Sequence, residues 1–215
     1  WKEYGVKPWK AETFKFSTDP QLEAKVVDVV GLYLAPPQNA IVLCVDEKSK
    51  QLLQQTRTPI AARAGAPIKE DYEYRRIGTR NIFLAVEPKG GHRQAEVTAR
   101  RTKPDFVRFI GRLVEKVYAG AQKIHLVMDN LNTHFRSSFE EVLGVERAER
   151  MLARVEFHYT PKHASWLNMA EIEIGVMDRQ CIGGRLPSES MLRSEVAAWK
   201  HRRNQAKAKI EWKFT

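Results

Sequence analysis

Two short stretches of this chain leave no room for a solvent-facing side. Ile41-Val42-Leu43-Cys44-Val45 is wholly apolar and rich in β-branched residues, and Ile124-His125-Leu126-Val127-Met128 nearly so. Runs of about five such residues are too short for a buried helix and read as strands covered on both faces. Asn81–Val86 and Val155–Tyr159 read as two further strands. Between them lie helical periods. Residues 21–34 set Leu22, Val26, Val29, Val30 and Tyr33 at helical spacing until Ala35-Pro36-Pro37 stops them. Pro104–Tyr118 puts Phe106, Phe109, Ile110, Leu113, Val114 and Val117 on one face, with Pro104 suited to a first turn. Residues 137–152 look helical. Trp166–Ile182 is apolar nearly all round, and 188–204 is amphipathic with Leu192, Val196 and Trp199 inward. Strands alternating with helices predict an α/β layered sheet. Residues 55–80, with Pro59, Gly65 and Pro67, read as a long loop or irregular ribbon.

Charge narrows the partners. The 215 residues carry 36 Lys and Arg against 26 Asp and Glu, a net charge of +10. A basic surface of this size favours a polyanion, most often nucleic acid, through counterion release at phosphates. No apolar run approaches the roughly 18–20 residues that a membrane-spanning helix needs. Two cysteines, Cys44 and Cys181, are too few for a disulfide framework or a four-cysteine zinc site, and a cytosolic setting is expected.

Both apolar strands end in acid, as VDE and MDN. Ligands of α/β sheets sit at the carboxyl ends of strands, which puts Asp46 and Asp129 where chemistry usually is. An Asp there also opens ordinary turns, so either alone says little. A third acid is more telling. In WLNMAEIEIGVM, Glu171 and Glu173 interrupt an apolar helix, and an ionised carboxylate is costly to bury unless paired or metal-bound. Two residues apart, they lie about 200° around a helix and cannot serve one site together. Asn168 and Gly175 give Glu171 a small polar strip, whereas Glu173 has Met169 and Met177. Glu171 is therefore favoured, with Glu173 expected to meet solvent or a basic residue and Glu173→Gln expected to be mild. Three carboxylates on two strands and a helix suit hard divalent cations with oxygen ligands. Two such ions about 4 Å apart serve phosphodiester displacement.

At these residues the chain resembles the catalytic part of DDE transposases, specifically bacterial insertion-sequence transposases related to mariner elements. The segments that carry the resemblance are TFKFSTDP at 13–20, VGLYLAPPQNAIVLCVDEKSKQ at 30–51 and DYEYRRIGT at 71–79. They continue with IHLVMDNLNTH at 124–134, HYTPKHASWLNMAEIEIGVMDRQC at 158–181 and the stretch from Glu195 to Thr215. The resemblance implies a ribonuclease H-like (retroviral integrase-like) fold, a mixed sheet flanked by helices. It carries the three catalytic and metal-binding acids onto Asp46, Asp129 and Glu171, with two Mg²⁺ ions (Mn²⁺ substituting) as cofactors. It further implies cleavage of double-stranded DNA at transposon ends, then transfer of the freed 3′-hydroxyl strand to target DNA, typically at a TA dinucleotide. No covalent protein–DNA intermediate is involved, so Cys44 reads as strand packing. Two ends must be held together, which implies a homodimer on DNA. A bacterial cytoplasmic, nucleoid-associated location follows from the same resemblance.

Family members begin with a helix-turn-helix region. Residues 1–20 read as the linker or tail of such a region, and 21–215 as the catalytic domain. Lys48 and Lys162 flank the acid motifs and are candidate phosphate contacts, as are Arg75 and Arg76. His134, His163 and Asn168 are candidate DNA contacts too, although His134 and His163 can instead orient a carboxylate. The spacing of these histidines, and of His125 and His158, is poor for zinc. Two other readings remain: a ribonuclease H-like nuclease that cuts without joining, and an inactive DNA-binding remnant.

Overall fold

The computed structural model describes residues 16–211. The reading of Trp1–Lys10 as a tail therefore falls outside the described residues. Five strands form one sheet in the order β3-β2-β1-β4-β5. They are β1 (Ala40–Gln55), β2 (Tyr74–Glu87), β3 (His92–Thr98), β4 (Lys123–Met128) and β5 (Val155–Tyr159). β1, β2 and β3 pair antiparallel, while β1, β4 and β5 run parallel. The expected mixed sheet is present.

Six α-helices among the described residues cover it: α1 (Leu22–Leu34), α2 (Lys103–Arg112), α3 (Arg136–Leu143), α4 (Val145–Leu152), α5 (Met169–Met177) and α6 (Glu189–Gln205). Alternation along each strand decides which helix meets which residue. Leu43, Val45, Phe83, Ala85, Leu126 and Met128 pack on one face with Phe106 and Phe109 of α2, Phe139 of α3 and Leu152 of α4. On the other face, Val42, Cys44 and Val127 meet α1 and the start of α5. Ile82, Leu84 and Val97 meet the end of α5 and α6, where Trp199 is buried as expected.

Several boundaries differ from the sequence reading. β1 does not stop at Val45 but runs ten residues further, paired with β2 into an arm beyond the body of the sheet. The segment DEKSKQLLQQ has no apolar run because it is covered on few sides, so hydrophobicity gives no sign of it. The ribbon expected over 55–80 keeps its irregular part from residue 56 to 73, and its last seven residues belong to β2. β3 (HRQAEVT) was not anticipated, because a buried position in it is filled by Arg93 rather than by an apolar residue. The helix expected over 137–152 is two, split at Gly144, whose φ of 79° is a conformation glycine adopts without a Cβ clash. The helix expected over Trp166–Ile182 begins as a separate short turn at Ser165–Leu167 and restarts as α5 after Asn168, which is extended.

Candidate active site

The continuation of β1 moves Asp46 from the end of a strand to its middle, a correction to the sequence reading. It nevertheless brings the acids together. The parallel register ends at Cys44 beside Val127, and two residues further the chain carries Asp46 on β1 and Asp129 just past β4. Alternation turns Asp46 toward the face that α5 covers and Glu47 toward the face of α2.

Glu171 reaches this place through Asn168. The Asn168 amide donates to the Val45 carbonyl at 2.8 Å, one residue before Asp46. Its side-chain oxygen accepts from the Ala170 backbone N–H at 3.1 Å and so caps α5. Asn168 is 1% exposed, which corrects its reading as a DNA contact: it fastens the first turn of α5 to β1. Glu171 sits in that first turn, exposed, with its backbone N–H donating to the Asn168 carbonyl at 3.0 Å.

Electrostatics set Asp46 apart. Its carboxyl is pushed up to about 7 by burial and by the negative charges of Asp129, Glu47 and Glu171, partly opposed by the Glu47 backbone N–H at 2.7 Å. Among the described residues it has no cationic partner. Asp129 is treated differently. Burial works to raise it, but hydrogen bonding and charge from His134 outweigh that and hold it below the usual carboxylate range, with Arg101 adding to the effect. His134 Nδ1 lies 2.8 Å from Asp129 Oδ1 and Nε2 lies 2.9 Å from Glu47 Oε1. Burial disfavours its charge, but these two carboxylates raise it to about 9, so it is an imidazolium at neutral pH. Its ring lies 4.4 Å from that of Phe106 and is 0% exposed. His134 is thus closed off from the surface, and its two ring nitrogens join Asp129 to Glu47.

Glu47 was missed in the sequence. Its side chain is 3% exposed, and its only advertisement was its place next to Asp46 in an alternating strand. Glu173, two residues after Glu171, faces the interior. It is 0% exposed and held by two arginines, at 2.5 and 3.0 Å from Arg93 and 2.9 and 2.9 Å from Arg203. Its expected exposure is corrected, and its expected basic partner is doubled.

The remaining candidates are scattered. Lys48 is paired with Asp178 at 2.7 Å. Lys162 and His163 are exposed on the turn before α5, with His163 at a φ of 60°. Arg75 and Arg76 lie exposed on the arm, opposite Gln54 and Leu53, about 25 Å along the strand from Asp46. Cys44 is buried 3.2 Å from the Tyr33 hydroxyl, and burial pushes its thiol up to about 12, so it is strand packing and no nucleophile. A cavity of about 470 Å³ beside α1 holds none of the three acids. The oxygen atoms of Asp46, Asp129 and Glu171 do not all come within 4.8 Å of one another, so one ion cannot bind all three without side-chain movement. The donors nevertheless fit a hard cation: all are carboxylate oxygens, and no cation among the described residues pairs with Asp46.

A family model described as DDE superfamily endonuclease matches residues 41–193, most of the chain. No curated protein sequence matches significantly. Among solved structures, the fold is similar to that in the Mos1 strand transfer complex, with a TM-score of 0.62 at 11% identity over 96% of this chain and 63% of that one. The Mos1 mariner paired end complex with Mn gives 0.61 at 12% identity, covering 96% of this chain and 66% of that one. The catalytic domain of Mos1 mariner transposase gives 0.58 at 9% identity, covering 92% and 91%. At such identities the likeness establishes the ribonuclease H-like fold. The chain spans about two thirds of the Mos1 chains held in the first two complexes.

Proposed function

The chain belongs to the DDE superfamily of endonucleases, and from that premise we propose that it is the catalytic domain of a metal-dependent DNA transposase, with Asp46, Asp129 and Glu171 as its catalytic acids. The observation that carries this reading is Asp46, a carboxylate surrounded by three others and left without a cation. A fold gains nothing from such an arrangement, since like charges raise the cost of one another. Divalent metal offsets it. Mg²⁺, with Mn²⁺ as substitute, would be held by Asp46, Asp129 and Glu171 as two ions, and when bound supplies activation of the attacking hydroxyl and stabilisation of the leaving oxygen.

The protein's own groups have separate tasks in this reading. Asn168 sets the distance between Glu171 and Asp46 by tying α5 to β1. The His134 imidazolium holds Asp129 in its ionised form and one orientation, and is itself held by Glu47. Lys162 and His163, exposed on the turn before α5, approach the phosphates nearest the acids. Lys48 and the arm residues Arg75 and Arg76 contact DNA further away.

The finer assignments belong to the same proposal. The substrate is double-stranded DNA, cut at transposon ends and joined through its 3′-hydroxyl to target DNA by a homodimer. The element is a bacterial insertion sequence of the mariner-related branch, acting in the cytoplasm at the nucleoid. Residues 21–215 form the catalytic domain, and 1–20 the tail of a helix-turn-helix region. No helix among the described residues is long and apolar enough to cross a membrane.

Nicking of supercoiled plasmid in Mn²⁺ tests the reading. The chain is expected to nick and Asp129→Asn is expected not to. Pre-cut DNA with a free 3′-hydroxyl then separates a transposase from a nuclease, since only the former yields joined product. Nicking by Asp129→Asn at the native rate would overturn the assignment of the acids.

A further inference from the structure

The lower ends of β4 and β5 carry a second cluster of ligating groups. His125 and Glu156 are register partners on these parallel strands, and His158 follows Glu156 by two residues. All three side chains therefore rise from one face of the sheet. One ligating atom from each lies within 4.8 Å of the other two, the only group of three His, Cys, Asp or Glu with that property among the described residues. His125 Nδ1 is 2.9 Å from His158 Nε2, and the Glu156 oxygens are 3.9 and 3.7 Å from those same two atoms.

α1 completes the arrangement. Asp28 Oδ2 lies 2.8 Å from His158 Nδ1, so that nitrogen carries the proton and donates it. The lone pair of His158 Nε2 is then directed at His125 and Glu156. A carboxylate fixing the far nitrogen of an imidazole is the usual support of a metal-ligating histidine. Both histidine side chains are 6% exposed, whereas that of Glu156 is 45% exposed and forms the entrance. Without a cation the two rings share a single proton between facing nitrogens, and His125 Nε2 is buried with no partner at all. The fold thus aims His125 Nδ1, His158 Nε2 and a carboxylate at one point, while the unpartnered His125 Nε2 lies on the other side of its ring.

We propose that His125, Glu156 and His158 form a second metal centre, selective for a borderline divalent cation of the Zn²⁺ class and separate from the three acids. Two imidazoles and a carboxylate suit such an ion, with water in the fourth position, and suit Mg²⁺ poorly. His125 precedes Asp129 by four residues along β4, about 13 Å, so the two centres do not overlap. The ion displaces the proton shared between the two rings and an exposed pair, Lys123 with Glu156 at 2.5 Å. Its structural effect is to pin the edge strand β5 to β4, its only neighbour in the sheet, with Asp28 of α1 already holding His158.

Equilibrium dialysis against Zn²⁺, with bound metal counted per chain, tests this on the Asp46→Asn/Asp129→Asn variant, in which the acid site is disabled. One Zn²⁺ per chain is expected, together with a higher Tm. His158→Gln and His125→Gln should lose the ion. Glu156→Gln should weaken it about tenfold and Asp28→Asn by about 10–100-fold. The exposed position of Glu156 keeps the test decisive if a histidine variant fails to fold. Folded Asp46→Asn/Asp129→Asn protein that retains no Zn²⁺, or retention indifferent to Glu156→Gln, overturns the proposal. Retention of Zn²⁺ with weakened binding in the Glu156 variant upholds it, whatever becomes of plasmid nicking.

Discussion

Glu171 and Glu173 share one helix, and the fold treats them in opposite ways. Glu173 is buried and gripped by two guanidinium groups, each with two hydrogen bonds. Burial pushes its carboxyl up, but the two arginines outweigh burial and hold it below the usual range. Glu171 is exposed, and it adds its charge to an Asp46 that already has too much negative charge around it. An acid whose charge folding satisfies is a structural part. An acid left to repel its neighbours needs something from outside the protein. The contrast assigns α5 two jobs, one on each side of the helix.

The largest effect that sharpens this contrast is on activity. Glu171→Gln, like Asp46→Asn and Asp129→Asn, should cut metal-dependent nicking about 10³-fold or more, since metal-borne charge stabilisation amounts to several kcal/mol. Its urea unfolding curve should match that of the native chain. Glu173→Ala reverses the pattern. Removing one partner of a buried ion pair costs about 3–5 kcal/mol in unfolding free energy, because Arg93 stays behind uncompensated. Even Glu173→Gln leaves that charge unmatched, so the mild effect expected from sequence becomes a measurable loss of stability. Equal stability of the Glu171 and Glu173 variants would break the comparison.

A smaller effect is expected at His134. His134→Gln releases Asp129 and strands Glu47, and activity should fall about 10–100-fold, as when other supports of metal-ligating groups are lost. The smallest effect is in pH. Asp46 binds its proton more tightly in the folded chain than in the unfolded one, so metal-free stability should fall as pH rises from about 4 to about 7. Asp46→Asn should remove that decline. Glu173 has the opposite sign: its contribution is present above the ordinary carboxylate pKa and is lost as pH falls through its depressed value. Chemical denaturation at several pH values, with chelator present, reads both.

The parts of the fold legible in sequence were those covered on both faces. The apolar cores of β1 and β4 stood out because nearly every side chain in them is buried, and α2 because its apolar stripe meets a single layer. The arm of β1 and β2 was illegible because strands with little cover need no apolar residues. β3 was hidden by Arg93, a charge in a core position whose partner lies 80 residues away in sequence. The acids followed the same logic. Asp46 and Asp129 were visible against apolar runs, whereas Glu47 was not, since its need for His134 arises only once α2 closes over that face. Asn168 was read as polar surface because a cap and a tether look identical in one dimension.

Arg93 also makes several distant segments answer to one another. Besides Glu173 of α5, its guanidinium donates to the carbonyls of Gly91 and Ala208, and its backbone is clasped by Asn204 of α6. One side chain is therefore the rivet through which the strand edge, the helix bearing Glu171 and the segment after α6 are joined. Shortening that last segment by a few residues would be felt first as play in the helix that carries the third acid, long before any change reached the sheet.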